Sequence, residues 1–396
     1  MSNINNYEII IIGAGLSGLL LAYALKLKHP SASILVIEER PILVGDRTWS
    51  FYGSDLENLN FWLPIISLHW PSYEVLFSKK QRLPTHYYTI QSNDFFSKMQ
   101  TILGPSLRLN EKVVKATSNQ VSTESGAEYS AKLIFDTRPL KQKVLPKVPK
   151  IFGGYQKFFG LEVTLSQSHQ LDCPLIMDAS IKQIDGFRFF YTLPLSNNRL
   201  LLEETYYSNS SHLDTLACQA EILKYAKSKG WTIVSIDRNE TGVLPIPTST
   251  PLQNHLNETE PFQIGAGSGF YHPITGYSVL WAVKVAEAIA SNPTLSPKII
   301  ATKLRRLQKQ IKKNESFYLL LNRMLFYGST ETNRKNIFER FYRLPISTIE
   351  RFYSGKTTIF DRIRLLIGKP PIPISAAWKA IIKPLNESAL IEGEAQ

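Results

Sequence analysis

Cysteine is nearly absent: two residues, Cys173 and Cys218, in 396. That is too few to staple a secreted scaffold of this length, and the two show no metal-ligand spacing. A reducing, cytoplasmic chain is expected. Also missing is any run of about 20 apolar residues, the length a membrane span requires. The best stretch, Leu16 to Leu27, reads as a buried helix. No basic-then-apolar leader opens the chain, because the run Ile9 to Ile12 meets glycines at once. Low-complexity tracts and internal repeats are absent too, and a composition 43% hydrophobic and 20% charged excludes disorder as the main state.

What the chain has in excess is positive charge, +12 formally. Its basic residues thicken late, from Lys303, Arg305, Arg306 and Lys309 to Lys312 and Lys313, among Phe, Tyr, Leu and Ile. No nucleic-acid motif accompanies them, so nucleic acid is not an expected partner. The mixture fits either an anionic membrane surface or a solvated basic helix face.

The run Tyr7 to Ile12 has the composition of a parallel strand buried on both faces. Gly13-Ala14-Gly15-Leu16-Ser17-Gly18 follows, then a helical stretch ending near Pro30, then Ile34 to Ile37 and Glu38. In such a unit Gly13 permits the turn, Gly15 lets the backbone approach a pyrophosphate, Gly18 allows helix packing, and Ala14 sits between them. Glu38 stands 20 positions beyond Gly18, where a carboxylate accepts from ribose hydroxyls. The helix N-terminus favours the phosphates. An adenine dinucleotide, FAD or NAD, is therefore expected.

The expected fold is α/β. A dinucleotide-binding domain spans 1–72, 101–150 and 256–295, interrupted by an antiparallel-sheet substrate domain over 73–100 and 151–255. A helical, basic, membrane-facing region over 296–396 completes the chain.

Further along, Gly265-Ala266-Gly267 and His272-Pro273-Ile274-Thr275-Gly276-Tyr277 precede a helix. This resembles the second flavin motif of the para-hydroxybenzoate hydroxylase-like flavoproteins. The resemblance implies FAD, with Gly265, Thr275 and Gly276 beside it. Many relatives place an Asp where this chain has Ala266, which bears on the ribityl contact and not on the fold.

Other stretches are similar to the bacterial lycopene beta-cyclases, from residue 9 to residue 377. They include Gly45-Asp46-Arg47-Thr48-Trp49-Ser50-Phe51, Phe135-Asp136-Thr137-Arg138-Pro139 and Gly154-Tyr155-Gln156-Lys157-Phe158-Phe159-Gly160. Met177-Asp178-Ala179, Leu202-Glu203-Glu204-Thr205, Gly242-Val243-Leu244-Pro245-Ile246 and Arg351-Phe352-Tyr353 belong with them. The resemblance implies acid-initiated, redox-neutral cyclisation of the ends of lycopene, through gamma-carotene to beta-carotene. It also implies reduced FAD with NAD(P)H as reductant, acyclic carotenoids as substrates, and an enzyme at the cytoplasmic side of the inner membrane beside other carotenoid enzymes.

Protonating an alkene needs a carboxyl kept protonated by apolar surroundings, and the resulting cation needs an electron-rich neighbour. The acidic motif makes Glu203 the favoured residue, with Glu204 on the opposite face of the strand. Asp136, at a strand end, is either a flavin-proximal group or a turn cap. Whether flavin or Glu203 moves the proton stays open at this point. Candidate substrate liners are Phe187, Phe189, Phe190 and Tyr191. Rival readings of the same motifs are a flavin monooxygenase or halogenase, an isoprenoid reductase, and a non-catalytic flavoprotein.

Overall fold

A computed structural model describes residues 5–138, 152–250 and 260–366. The expected boundaries at 150 and 255, Pro139, and residues 367–396 of the basic region lie outside these.

The chain runs through β1 (Asn5–Ile12), α1 (Leu16–Lys28), β2 (Ile34–Ile37), β3 (Thr48–Tyr52), α2 (Leu59–Trp62), β4 (Leu68–Trp70), β5 (Tyr73–Leu76), β6 (Lys80–Leu83) and β7 (Tyr87–Gln91). Next come α3 (Ser92–Leu103), β8 (Leu107–Arg108), β9 (Val113–Ala116), β10 (Gln120–Thr123) and β11 (Glu128–Asp136). The middle holds β12 (Phe152–Leu165), β13 (Leu175–Asp178), β14 (Phe187–Ser196), β15 (Arg199–Ser208), α4 (Thr215–Ser228) and β16 (Ile233–Pro247). β17 (Phe262–Gln263), α5 (Val279–Ala290), α6 (Pro297–Phe326), α7 (Arg334–Phe341), α8 (Ile346–Tyr353) and α9 (Ile359–Leu366) complete it.

β1 is the centre of the first sheet, whose order is β8-β2-β1-β11-β10-β9, with β17 also on β11. β8, β2, β1, β11 and β17 are mutually parallel, while β9 and β10 form an antiparallel meander. The unbroken apolar run of β1 follows from two-sided burial. Ile9 and Ile11 pack in the cluster that holds α1 and α5, and Ile10 and Ile12 face the meander.

The second sheet, β16-β12-β15-β14-β13-β5-β6, is antiparallel except for the β13–β5 pair. One face is closed by α4, through Leu161, Leu200, Leu202, Ile222 and Tyr225. The other face looks toward the first domain. A small sheet, β3-β7-β4, lies between the two.

Segment 73–100, expected wholly in the substrate sheet, divides. β5 and β6 join that sheet, β7 pairs with β3, and α3 packs on α1 through Phe95, Phe96 and Met99. The cause is the amphipathic pattern of α3, which needs a helical partner that the substrate sheet does not offer.

The basic region is likewise not a separate layer. One stripe of α6, Ile300, Leu304, Leu307 and Ile311, completes the first core, and Phe317, Tyr318, Leu325 and Phe326 pack with the C-terminal helices and the second sheet. Among the described residues no helix is long and apolar enough to cross a membrane.

Candidate active site

The first glycine turn has the geometry its spacing predicts. Gly13 takes φ +98°, and a Cβ on Gly18 would lie 2.1 Å from the Gly13 carbonyl oxygen. Gly15 caps α1 in extended conformation. The Glu38 carboxylate accepts the Ala14 N–H at 2.7 Å and Arg40 Nε at 2.8 Å. Burial pushes its pKa up, but the hydrogen bonds from Arg40 and Ala14 outweigh that and hold the group below the ordinary carboxylate value. A cavity of about 230 Å³ lies against Gly13, Gly15, Glu38, Arg40 and Arg138. An anionic acceptor, two side-chain-free approaches and a free helix N-terminus suit an adenosine diphosphate moiety.

Asp136 ends β11 next to this turn. Arg138 pairs with its carboxylate at 2.7 Å and donates its own backbone N–H to it at 3.1 Å. Asp136 thus shapes the strand end and is not among the groups around Glu203.

The second glycine turn lies across from the first. Gly265, φ +95°, approaches the Ser17 side chain, and Gly276 takes φ +66°. His272 anchors it. Its Nδ1 accepts the Ile274 N–H and its Nε2 faces the Phe352 carbonyl at 3.0 Å, which assigns a neutral ring donating from Nε2. Burial presses its pKa down to about 4.

Between this turn and the open face of the second sheet is a cavity of about 610 Å³. Ala266, Thr275 and Gly276 form one wall, and Glu203, Leu201, Thr205, Phe189 and Tyr191 the opposite one. β3 closes the side with Thr48, Trp49 and Ser50. Ser50 Oγ is 3.0 Å from the Tyr191 hydroxyl, which in turn is 3.4 Å from that of Tyr87.

Strand alternation separates the two motif glutamates. Glu203 faces the cavity and accepts a hydrogen bond from Thr205 Oγ1 at 2.5 Å. It has protein on every side but its cavity face. Burial, and secondarily the negative charge of Glu240, push its pKa up to about 8. Glu204 points the other way, beneath α4, where it pairs with Arg188 and accepts from the Tyr206 hydroxyl at 2.7 Å. Arg188 also holds Glu221 at 2.6 Å.

Two of the four candidate liners are not on the cavity. Phe190 is on the α4 face, stacked on Tyr225 at 4.0 Å, because its parity is that of Glu204. Phe187 shares the parity of Phe189, but sits past the cavity's end, stacked on Phe338 at 4.3 Å.

The structure adds groups that no single stretch of sequence singled out. Glu240, on β16, also lines the cavity. Arg238 donates to Glu240 at 2.8 Å, to Thr48 Oγ1 at 2.6 Å and to Glu162 at 2.7 Å. Arg47 reaches the Thr241 carbonyl at 2.5 Å. The usable signal was that Arg47, Gln156, Phe158, Met177 and Gly242, all within stretches similar to the cyclases, converge on one cavity.

The family model described as lycopene cyclase protein matches residues 8–379. The lycopene beta-cyclase of Pseudescherichia vulneris is 37% identical over 379 residues, 95% of this chain and 97% of its own. The chain belongs to the lycopene cyclase family. Among solved structures, a tryptophan 6-halogenase from Streptomyces toxytricini superposes with TM-score 0.61 at 13% identity, covering 95% of each chain. The halogenase PltM in complex with FAD gives 0.58 at 13% identity, covering 86% of this chain and 80% of its own. At these identities the likeness is one of fold. This member of the cyclase family therefore carries the α/β fold of FAD-dependent oxidoreductases, and its two glycine turns and Glu38 fit that cofactor.

Proposed function

We propose that the chain is a lycopene beta-cyclase that converts the linear end groups of lycopene to beta rings without net redox change. The observation that carries this reading is Glu203: a carboxyl set in an aromatic cavity against the second glycine turn, with only its cavity side open, where burial and the Glu240 charge push its pKa up to about 8.

The Thr205 hydroxyl engages Oε1 of Glu203, which leaves Oε2 to carry the proton into the cavity. From there the proton passes to the terminal carbon–carbon double bond. The neighbouring double bond attacks the tertiary cation so formed, and the Glu203 carboxylate takes back one ring proton, which completes the ring and restores the acid, so the atoms and charge balance. The faces of Trp49, Phe158, Phe189 and Tyr191 present electron density to the cation. Gly13, Gly15, Glu38, Ala266, Thr275 and Gly276 would hold FAD, which when reduced by NAD(P)H would supply an electron-rich ring favouring positive charge in this cavity.

A membrane-dissolved polyene needs an apolar way in. On α9, Ile359 is 71% and Phe360 75% exposed, with Ile363 and Leu366 on the same side and Arg362 and Arg364 among them. That is the pattern of a helix resting on anionic lipid. α9 borders an apolar groove of about 140 Å³, and Tyr207, Thr275 and Tyr353 line both this groove and the Glu203 cavity. Peripheral attachment to the cytoplasmic face of the inner membrane, within reach of other carotenoid enzymes, follows from this reading.

The test is purified, FAD-loaded protein, reduced and kept anaerobic, with lycopene in anionic liposomes. Beta-carotene of unchanged mass is expected. A product heavier by hydrogen would turn the assignment to a reductase, and a strict need for oxygen would turn it to a monooxygenase.

A further inference from the structure

The chemistry proposed for Glu203 leaves one buried carboxyl of the same cavity without a role. β12 is the central strand between β15 and β16, and Gly160 on it is in register with Glu203 on one side and Glu240 on the other. All three point to the cavity face. The two glutamates are thus two strands apart, about 10 Å between Cα atoms, with the side-chain-free Gly160 in the row between them and Leu201 Cδ1 leaning over it. A Cβ built on Gly160 would lie 3.2 Å from Glu240 Cγ and 3.4 Å from Glu203 Cβ. A larger residue there would press on the stems of both glutamates and on Leu201.

The surroundings of the two differ. One row along the sheet, Glu162 is in register with Leu201 and Arg238, and Arg238 binds both Glu240 and Glu162. Glu240 therefore has a guanidinium, with Thr48 bridged to that same group. Among the described residues, Glu203 is hydrogen-bonded by the Thr205 hydroxyl and has no cationic partner. Arg47, from the β3 side, is half-exposed, and its hydrogen bond goes to the Thr241 carbonyl. Tyr87 of β7 and Tyr191 of β14 stay neutral, their pKa values raised chiefly by burial. The second glycine turn brings no charged side chain to the cavity wall.

We propose that Glu203 and Glu240 work as one acid–carboxylate pair across the row centred on Gly160, with Glu240, ion-paired to Arg238, holding the reacting proton on Glu203. Glu240 is a positioning residue in this scheme, and it rests on the cyclase reading of the cavity. The directions of titration agree. Burial raises both groups and leaves Glu240 above the ordinary carboxylate value; the Glu240 charge raises Glu203 further, while Arg238, with Thr48 and Arg47 beside it, pulls Glu240 part of the way back.

The experiment compares Glu240→Gln and Glu240→Asp with the wild type, all FAD-loaded. Rate is followed against pH, and the protonated-carboxyl band against pH by infrared difference spectroscopy, with Glu203→Gln identifying the band. In Glu240→Gln the high-pH limb moves to lower pH, and at pH 8 activity is severalfold lower relative to that variant's own low-pH plateau. The infrared band disappears at lower pH in parallel. Glu240→Asp, which keeps the charge, keeps the wild-type position of both. An infrared band that titrates at the same pH in Glu240→Gln as in wild type overturns the pair. That band is read without turnover, so a wild type that leaves lycopene unchanged sinks the cyclase reading and not the coupling.

Discussion

Replacing Glu203 by Gln keeps the shape and removes only the proton that the carboxyl can give. With its pKa pushed up to about 8, the wild-type group is roughly nine-tenths protonated at pH 7, and well above pH 8 its acid form falls about tenfold per pH unit. A positioned acid contributes about 10²–10⁴-fold, or about 3–5 kcal/mol of barrier, so Glu203→Gln should slow cyclisation by that factor at pH 6–7 with flavin still bound. Stability supplies an independent reading. An unfolded Glu releases its proton near the ordinary 4.5 and the folded one near 8, so between these values the folded state binds the extra proton. Stability in the wild type therefore falls as pH rises through that window, by an amount on the order of a few kcal/mol. The variant has no such group. Its melting temperature should exceed that of wild type near pH 9, with the gap closing toward pH 5. Pigment chromatography and a pH series of thermal melts check both halves. A variant that cyclises within severalfold of wild type, or melts with the wild-type pH slope, refutes the assignment of Glu203 as a buried acid.

Gly18→Ala places a Cβ 2.1 Å from the Gly13 carbonyl oxygen, so the turn must open, and the purified protein should lose its bound flavin absorbance. Glu204→Gln removes one partner of a buried pair with Arg188 and should lower stability by about 3–5 kcal/mol in denaturant titration. The pH position of the high-pH activity limb should stay, because Glu204 is on the α4 face. A triple change of Ile359, Phe360 and Ile363 to Ser strips the exposed side of α9. Sedimentation with anionic liposomes should fall while flavin content holds, and unchanged sedimentation would remove α9 as the contact.

What could be read from the sequence was whatever is fixed within a few residues or by a simple period. The first turn is such a case, since Gly13, Gly15 and Gly18 act within one strand-turn-helix unit and Glu38 closes it from the next strand's end. The opposite facing of Glu203 and Glu204 follows from the two-residue period of a strand. The same period, applied to the four aromatic candidates, separates Phe190 from Phe189 and Tyr191. It does not separate Phe187, whose distance along the strand from the cavity depends on where α7 brings Phe338. Glu240 was harder still. It is 37 positions from Glu203 in a strand of mixed polarity, and only the pairing of β12 with both neighbours brings them to one row. Register is a long-range property, set by which faces must be buried over the whole sheet.

On the proposed function, a fold shared with oxidoreductases hosts a redox-neutral cyclisation because cofactor and acid belong to different sheets. The glycine turns and Glu38 belong to the first sheet and fit a dinucleotide whatever the reaction. The acid belongs to the second sheet, whose strand faces can change without touching the first. Among the described residues, the face turned toward the glycine turn bears a carboxyl with no cationic partner of its own, while the buried carboxylates Glu204, Glu162 and Glu240 of the same sheet each have an arginine. An arginine introduced beside Glu203, for instance Leu201→Arg, would ionise the acid without removing it. The cavity, the flavin site and the carboxyl would persist, and cyclisation should fail across pH 6–8, with the infrared band of the protonated carboxyl gone. Activity surviving that change would mean that the proton comes from elsewhere.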